Sequence, residues 1–132
     1  MKTLIVEDDY TNRLVLQEFL SQYGECHVAV DGKQAVKAFR AALEENRKYD
    51  LICMDILMPE MDGHQAVAMI RAIERVQRVP PKAQAKIFMT TALTNRDNVI
   101  RSAREACNAY LVKPIDTGVL LSNLRDFGLV PG

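Results

Sequence analysis

Five times along this 132-residue chain a short apolar run stops abruptly on a polar or charged residue and gives way to a helical pattern. The sharpest instance is Asp50 to Gly63, DLICMDILMPEMDG. Leu51 to Met54 has the length and bulk of a buried strand, yet the run closes on a carboxylate, Asp55. Met58-Pro59 and Asp62-Gly63 just beyond are turn and helix-start signals. Asp55 is therefore expected at a strand-to-loop junction, with its carboxylate facing out of the sheet.

The other four runs repeat the pattern. Leu4, Ile5 and Val6 stop at Glu7-Asp8-Asp9, and a helix follows with Leu14, Val15, Leu16, Phe19, Leu20 and Tyr23 on one face, closed by Gly24. A second strand, about Cys26 to Val30, leads through Asp31-Gly32 into a helix with Ala35, Val36, Phe39, Ala42 and Leu43 inward. From Gly63 a third helix sets Ala66, Val67, Ile70 and Ile73 at helical spacing and ends before Pro80-Pro81. A fourth strand, Lys86 to Thr90, ends at Thr91-Ala92. Thr94 and Asp97 then form a capping pair ahead of Val99, Ile100, Ala103 and Cys107. A fifth strand, Ala109 to Val112, ends at Lys113-Pro114, and Asp116 can cap a last helix carrying Val119, Leu120, Leu124 and Phe127.

Strands that alternate with helices and are almost continuously apolar indicate a parallel sheet covered on both faces, an α/β doubly wound fold of five strands and five helices. The length fits one domain, residues 1–132. In such sheets ligands bind beyond the carboxyl ends of the strands. Four of those ends carry Glu7-Asp8, Asp55, Thr91 and Lys113; the second strand, ending at Val30-Asp31, is the natural edge.

Composition narrows the function classes. With 17 basic and 17 acidic side chains the net charge is zero, which gives no electrostatic case for nucleic acid or an anionic membrane. The start, MKTLIVEDD, is too short in apolar residues for a signal-peptide core, and no run approaches membrane-spanning length, so a cytoplasmic location is expected. Cys26, Cys53 and Cys107 are widely spaced and read as reduced core residues. His27 and His64 form no ligand cluster.

A rim of three carboxylates, one hydroxyl and one ammonium is electrostatically unsatisfied. Two like charges ~4 Å apart repel by roughly 4 kcal/mol at an effective dielectric of 20. All-oxygen ligands suit a hard cation such as Mg²⁺, which keeps positions for phosphate oxygens. The matching chemistry is phosphoryl transfer onto an aspartate. Asp55 is then the nucleophile, and Mg²⁺, Lys113 and the Thr91 hydroxyl take the three phosphoryl oxygens. Taken singly, Lys113 reads equally well as a solvated loop lysine, Thr91 as a helix start, and Asp8 or Asp9 as a cap. Their joint placement at strand ends is what favours a site.

These residues also carry a family resemblance. VEDD at Val6 to Asp9 followed by Arg13, MDILMPEMDG at Met54 to Gly63, TTA at Thr90 to Ala92 and YLVKP at Tyr110 to Pro114 resemble the receiver domain of two-component response regulators, in order and over essentially the whole chain. The resemblance implies the flavodoxin-like strand order 2-1-3-4-5 and makes Asp55 the phosphoacceptor, Thr91 the switch hydroxyl, Lys113 the phosphate-binding cation and Tyr110 the switch aromatic. Counting back from Arg13 makes Asp8 the direct metal ligand and Glu7 a water-mediated one, and leaves Asp9 to start the first helix. It further implies the Leu57 carbonyl as a third Mg²⁺ ligand and a cis Lys113-Pro114 peptide. The partners implied are a sensor histidine kinase or histidine phosphotransfer protein and an unidentified downstream protein, met by the face of the fourth helix, fifth strand and fifth helix. With no further domain after Phe127, a stand-alone, chemotaxis-regulator-like protein is expected, catalysing its own phosphorylation and dephosphorylation rather than turning over an external substrate.

Two positions depart from the family's habit. Leu57 and Leu93, two residues beyond Asp55 and Thr91, are often polar in the family, and apolar side chains there should slow attack by water. Arg71, Arg75, Arg78, Lys82 and Lys86 stand against one Glu74 and read first as a solvated basic face, second as a docking surface. Among rival functions, a phosphatase of the haloacid dehalogenase type wants an acid where Leu57 stands. A phosphorylation-independent binding module would not need the set of Asp8, Asp55, Thr91 and Lys113. A Rossmann enzyme lacks its G-x-G-x-x-G after the first strand.

Overall fold

The computed structural model describes residues 1–58, 60–92 and 107–132. Five strands, β1 (Thr3–Val6), β2 (Cys26–Ala29), β3 (Leu51–Asp55), β4 (Lys86–Ala92) and β5 (Ala109–Lys113), form one parallel sheet in the order β2-β1-β3-β4-β5. This is the expected flavodoxin-like order, with β2 at an edge. The described helices are α1 (Tyr10–Leu20), α2 (Gly32–Glu44), α3 (Gly63–Val76) and a C-terminal helix (Thr117–Asp126). The helix expected from Thr94 lies outside the described residues, so four of the five are seen.

Each described α-helix begins on an aspartate. Asp9 accepts a hydrogen bond from the Asn12 N–H, Asp31 from that of Gln34, and Asp116 from those of Gly118 and Val119. Asp62 accepts from the Gln65 N–H while the Gln65 side chain accepts from the Asp62 N–H, a full capping box. Such caps satisfy amide groups that have no partner inside the helix, worth about 1 kcal/mol each.

Alternation along the strands divides the core in two. Leu4, Val6, Ile52, Met54, Ile87 and Met89 pack with Val36, Phe39, Val67 and Ile70 of α2 and α3. Ile5, Leu51, Cys53, Phe88 and Leu111 pack on the other face with Leu16 and Leu20 of α1 and Leu120 and Leu124 of the C-terminal helix. The first helix buries less than its pattern suggested: Leu14 and Val15 remain exposed because only Leu16 and Leu20 point squarely at the sheet.

At the amino-terminal end of the sheet a buried polar network ties α3 to two strands. The Glu74 carboxylate, 1% exposed, accepts from Arg71 Nη1 at 2.7 Å and from the Ala85 N–H at 2.8 Å. Arg71 also donates to the Ala85 carbonyl and to Asn108 Oδ1, which in turn accepts from the Ile87 N–H. Arg71 thus leaves the solvated basic face expected of it, because a buried carboxylate requires a cation. Among the described residues no helix is long and apolar enough to cross a membrane.

Candidate functional site

The register of the sheet brings four strand ends together. Val6 stands opposite Met54, Asp55 opposite Thr90, Thr91 opposite Val112, and Ala92 opposite Lys113. Glu7 extends the β1 ladder by one residue, its N–H donating to the Ala29 carbonyl at 3.1 Å. The Arg13 guanidinium reaches back from α1 to donate to the Glu7 carbonyl, and the Asp9 N–H donates to Glu7 Oε2. Arg13 served in the sequence only as a marker for counting; here it fastens α1 to the end of β1.

Asp55 ends β3 at the strand-to-loop junction as expected, and it is 5% exposed. The segment after it folds back over the sheet end: the Ile56 N–H donates to the Thr90 carbonyl, and the Gly63 N–H donates to the Ile56 carbonyl at 2.8 Å. Gly63 is needed for that approach. A Cβ on it would stand 2.5 Å from the Asp55 carbonyl oxygen and 2.9 Å from the Ile56 Cα.

Lys113 joins the carboxylates, with Nζ 2.7 Å from Glu7 Oε1 and 3.2 Å from Asp55 Oδ1. Carboxylate oxygens of Glu7, Asp8 and Asp55 lie within 4.8 Å of one another, Asp8 being the exposed member. Asp9 is occupied as the α1 cap. Burial, then the hydrogen bond and negative charge of Glu7, push Asp55 up to about 7, against the pull of Lys113 in the other direction. Burial alone would lower Lys113, but Glu7 and Asp55 outweigh it, and its pKa is raised. One ammonium therefore neutralises only part of three crowded carboxyl groups. The donor set, all carboxylate oxygen and under-neutralised, fits a hard divalent cation.

Thr91 and Tyr110 share the opposite face of the sheet. Thr91 has the parity of Ile87 and Met89, and Tyr110 packs against the same α2–α3 cluster, diagonal to Thr91 across the β4–β5 pair. The Thr91 Oγ1 and the Tyr110 hydroxyl are both buried without a hydrogen-bond partner among the described residues. Leu57 is 59% exposed at the mouth of the site; Leu93 lies outside the described residues. The Lys113-Pro114 peptide is cis. Beside it a groove of about 450 Å³ runs along β5 and the start of the C-terminal helix, lined by Tyr110, Val112, Pro114 and Val119 among others.

The sequence profile of the response regulator receiver domain matches residues 3–125. The chain belongs to this family. As a receiver domain it is 32% identical over 127 residues to the chemotaxis protein CheY of Pseudomonas aeruginosa, covering 95% of this chain and 94% of that protein. It is 34% identical over 131 residues to hybrid signal transduction histidine kinase G of Dictyostelium discoideum, covering 97% of this chain but only 4% of that protein. Among solved structures it superposes on the receiver domain of sensor histidine kinase PA1611 from Pseudomonas aeruginosa PAO1, which holds a magnesium ion in its active-site cleft. The TM-score is 0.75 at 29% identity, covering 96% of this chain and 97% of that one. The receiver domain of Saccharomyces cerevisiae Ssk1, crystallised with the histidine phosphotransfer protein Ypd1, gives a TM-score of 0.80 at 26% identity, covering 98% of this chain and 89% of that one.

Within this receiver fold the rim gathers Glu7, Asp8, Asp55 and Lys113 on one side and sets Thr91 and Tyr110 on the other. Two features that shape the rim were not read from the sequence. Gly63 had been read only as a turn and helix-start signal, because its approach to the Asp55 and Ile56 backbone is made across the intervening loop. The Arg13 bond to the Glu7 carbonyl left no local signal.

Proposed function

We propose that this receiver domain is a phosphoacceptor switch of two-component signalling, in which residues 1–132 act as one domain and Asp55 takes a phosphoryl group from a phosphohistidine. The observation that carries the reading is the bridge made by Lys113 between Asp55 and Glu7, with Asp8 in the same cluster. In the transfer, a carboxylate oxygen of Asp55 attacks phosphorus, the P–N bond of the donor breaks, and the imidazole leaves with the electron pair. Asp55 reacts as the carboxylate, so its elevated pKa favours conditions in which a cation draws the proton off.

Asp8, Asp55 and the Leu57 carbonyl would hold Mg²⁺ directly, and Glu7 would do so through water. Bound there, Mg²⁺ supplies charge neutralisation for the phosphoryl oxygens. Lys113 would then exchange part of its carboxylate contact for a phosphoryl oxygen. The Thr91 hydroxyl, without a partner among the described residues, is suited to another, since a buried hydroxyl without a hydrogen bond costs about 1–3 kcal/mol. Drawing Thr91 toward the phosphoryl group would open space for Tyr110, and the face of β5 and the C-terminal helix would carry the change to a downstream protein; the fourth helix expected to share that face lies outside the described residues. The donor would be a sensor histidine kinase or a histidine phosphotransfer protein, as Ypd1 is to Ssk1 in their complex. The proposed location is cytoplasmic. A dehalogenase-type phosphatase would need an acid at position 57, and leucine stands there.

The test is incubation with a small-molecule phosphodonor and Mg²⁺, followed by intact mass. Wild type should gain one acid-stable, alkali-labile phosphoryl group, and Asp55→Asn should gain none. Equal labelling of both, or continuous turnover of the donor by Asp55→Asn, would overturn the reading.

A further inference from the structure

Helix α3 carries two apolar stripes, and the core uses only one. Ala66, Val67 and Ile70 are buried against the sheet. Met69, Ala72, Ile73 and Val76 recur at i, i+3, i+4 and i+7 on a second line that borders solvent, and Val76 is 78% exposed. A single exposed apolar residue is ordinary, but these four line one groove of about 320 Å³ together with Arg40 and Glu44 of α2. The groove lies in the carboxyl-terminal halves of both helices. Since α2 and α3 run back from the carboxyl ends of their strands, it sits at the pole of the molecule away from Asp55.

The charges around it are lopsided. Lys37 and Arg40 on α2, and Arg75, Arg78 and Lys82 on and after α3, are exposed, and none has an ion pair among the described residues. Arg75 is three residues from Ala72 and so flanks the apolar line. The neighbouring exposed acids are Glu44 and Glu45. Of the two remaining cations of this segment, Arg71 is committed to Glu74 and Lys86 lies over the Phe127 ring.

An apolar groove with Arg40 in its lining and Arg75 on its flank, neither of them in an ion pair among the described residues, suits an amphipathic helix laid into it with carboxylates on its flanks. We propose that the α2–α3 groove is a docking surface for an acidic amphipathic helix of a protein partner. One bulky apolar side chain of that helix seats against Met69, Ile73 and Val76, and its carboxylates face Arg40 and Arg75. A second copy of this chain is the poorer occupant, because it would bring the same excess of cations to the interface.

The probe is a synthetic peptide of about 16 residues, stapled into a helix on the face away from the groove, with leucine at i, i+3, i+4 and i+7, glutamate at the positions flanking that line and alanine elsewhere. Its control has lysine in place of every glutamate. With methyl-labelled protein, the acidic peptide should shift the Met69, Ile73 and Val76 methyl resonances, and affinity should fall roughly tenfold between about 0.05 M and 0.3 M salt. The lysine peptide should not bind. Val76→Glu should abolish binding without changing the melting temperature, since the side chain is largely in solvent. The pair Arg40→Glu with Arg75→Glu should reverse the preference between the peptides. Absence of binding, equal binding of both peptides, or shifts confined to another face would overturn the proposal. So would self-association of the protein that Val76→Glu removes, which would assign the groove to a second copy.

Discussion

Asp55 illustrates how one residue carries conflicting demands. Its carboxyl is pushed up to about 7, first by burial and then by Glu7, with Lys113 opposing. In the unfolded chain the same group titrates near its ordinary value of about 4. Between those values the folded protein holds a proton that the unfolded chain has released, so stability falls as pH rises through this window and the penalty is complete above about 7. In a chelating buffer, the melting temperature should therefore drop between pH ~5 and pH ~8 by circular dichroism, and Asp55→Asn should remove most of that slope. Added Mg²⁺ should restore more stability at the higher pH, where the charged form prevails. If the two proteins show the same slope, the groups responsible lie elsewhere. Leu57 bears on the other side of the proposed chemistry. Its exposed side chain stands at the mouth of the site, so Leu57→Asn should speed hydrolysis of the phosphorylated protein several-fold, as read by the decay of the intact-mass signal. An unchanged half-life would mean that the apolar side chain does not obstruct water.

At the level of elements, the turn from β3 into α3 has the least slack. Gly63 places the first turn of α3 against the backbone of Asp55 and Ile56, and Asp62 caps it. Gly63→Ala should cost about 1–3 kcal/mol by overpacking and slow phosphorylation, because the backbone that must yield is that of Asp55, the proposed phosphoacceptor. Asp62→Ala should cost about 1 kcal/mol and leave the phosphorylation rate nearer wild type. Urea unfolding and labelling rates, measured side by side, separate the two. The caps at Asp62 and Asp116 were legible in the sequence, since each aspartate stands just ahead of a helical apolar pattern. Strand identity and the carboxyl rim were legible for an equally local reason: each run ends on a polar residue. The inward turn of Arg71 and Glu74 was not legible, because their partners, Ala85 and Asn108, are supplied by distant parts of the chain. The exposure of Leu14 and Val15 was hidden too, since helical spacing names a face but not its width. Asp55 was placed at the right point along the strand, but its burial depends on the loop that folds over it.

The whole molecule has two poles with different duties. At the carboxyl pole the charges are out of balance: an acidic cluster is under-neutralised and the Thr91 hydroxyl has no partner among the described residues, an arrangement that suits the proposed phosphoryl group. At the amino pole the buried carboxylate of Glu74 is met by Arg71 and the Ala85 N–H, and the same network reaches Asn108 at the entrance to β5. Stability and switching can therefore be separated by mutation. Glu74→Gln keeps the shape but only one of the two acceptor oxygens, so either Arg71 or the Ala85 N–H loses its acceptor, and it removes the charge that compensates Arg71, which should lower unfolding free energy by about 2 kcal/mol. The urea midpoint should fall with an unchanged m-value. Below its melting transition the variant should still label Asp55 at close to the wild-type rate, because the network lies at the opposite end of the strands from the rim. A large loss of labelling in fully folded Glu74→Gln would mean that the amino pole sets the register of β4 and β5 on which Thr91 and Lys113 depend, and the two duties would then be one.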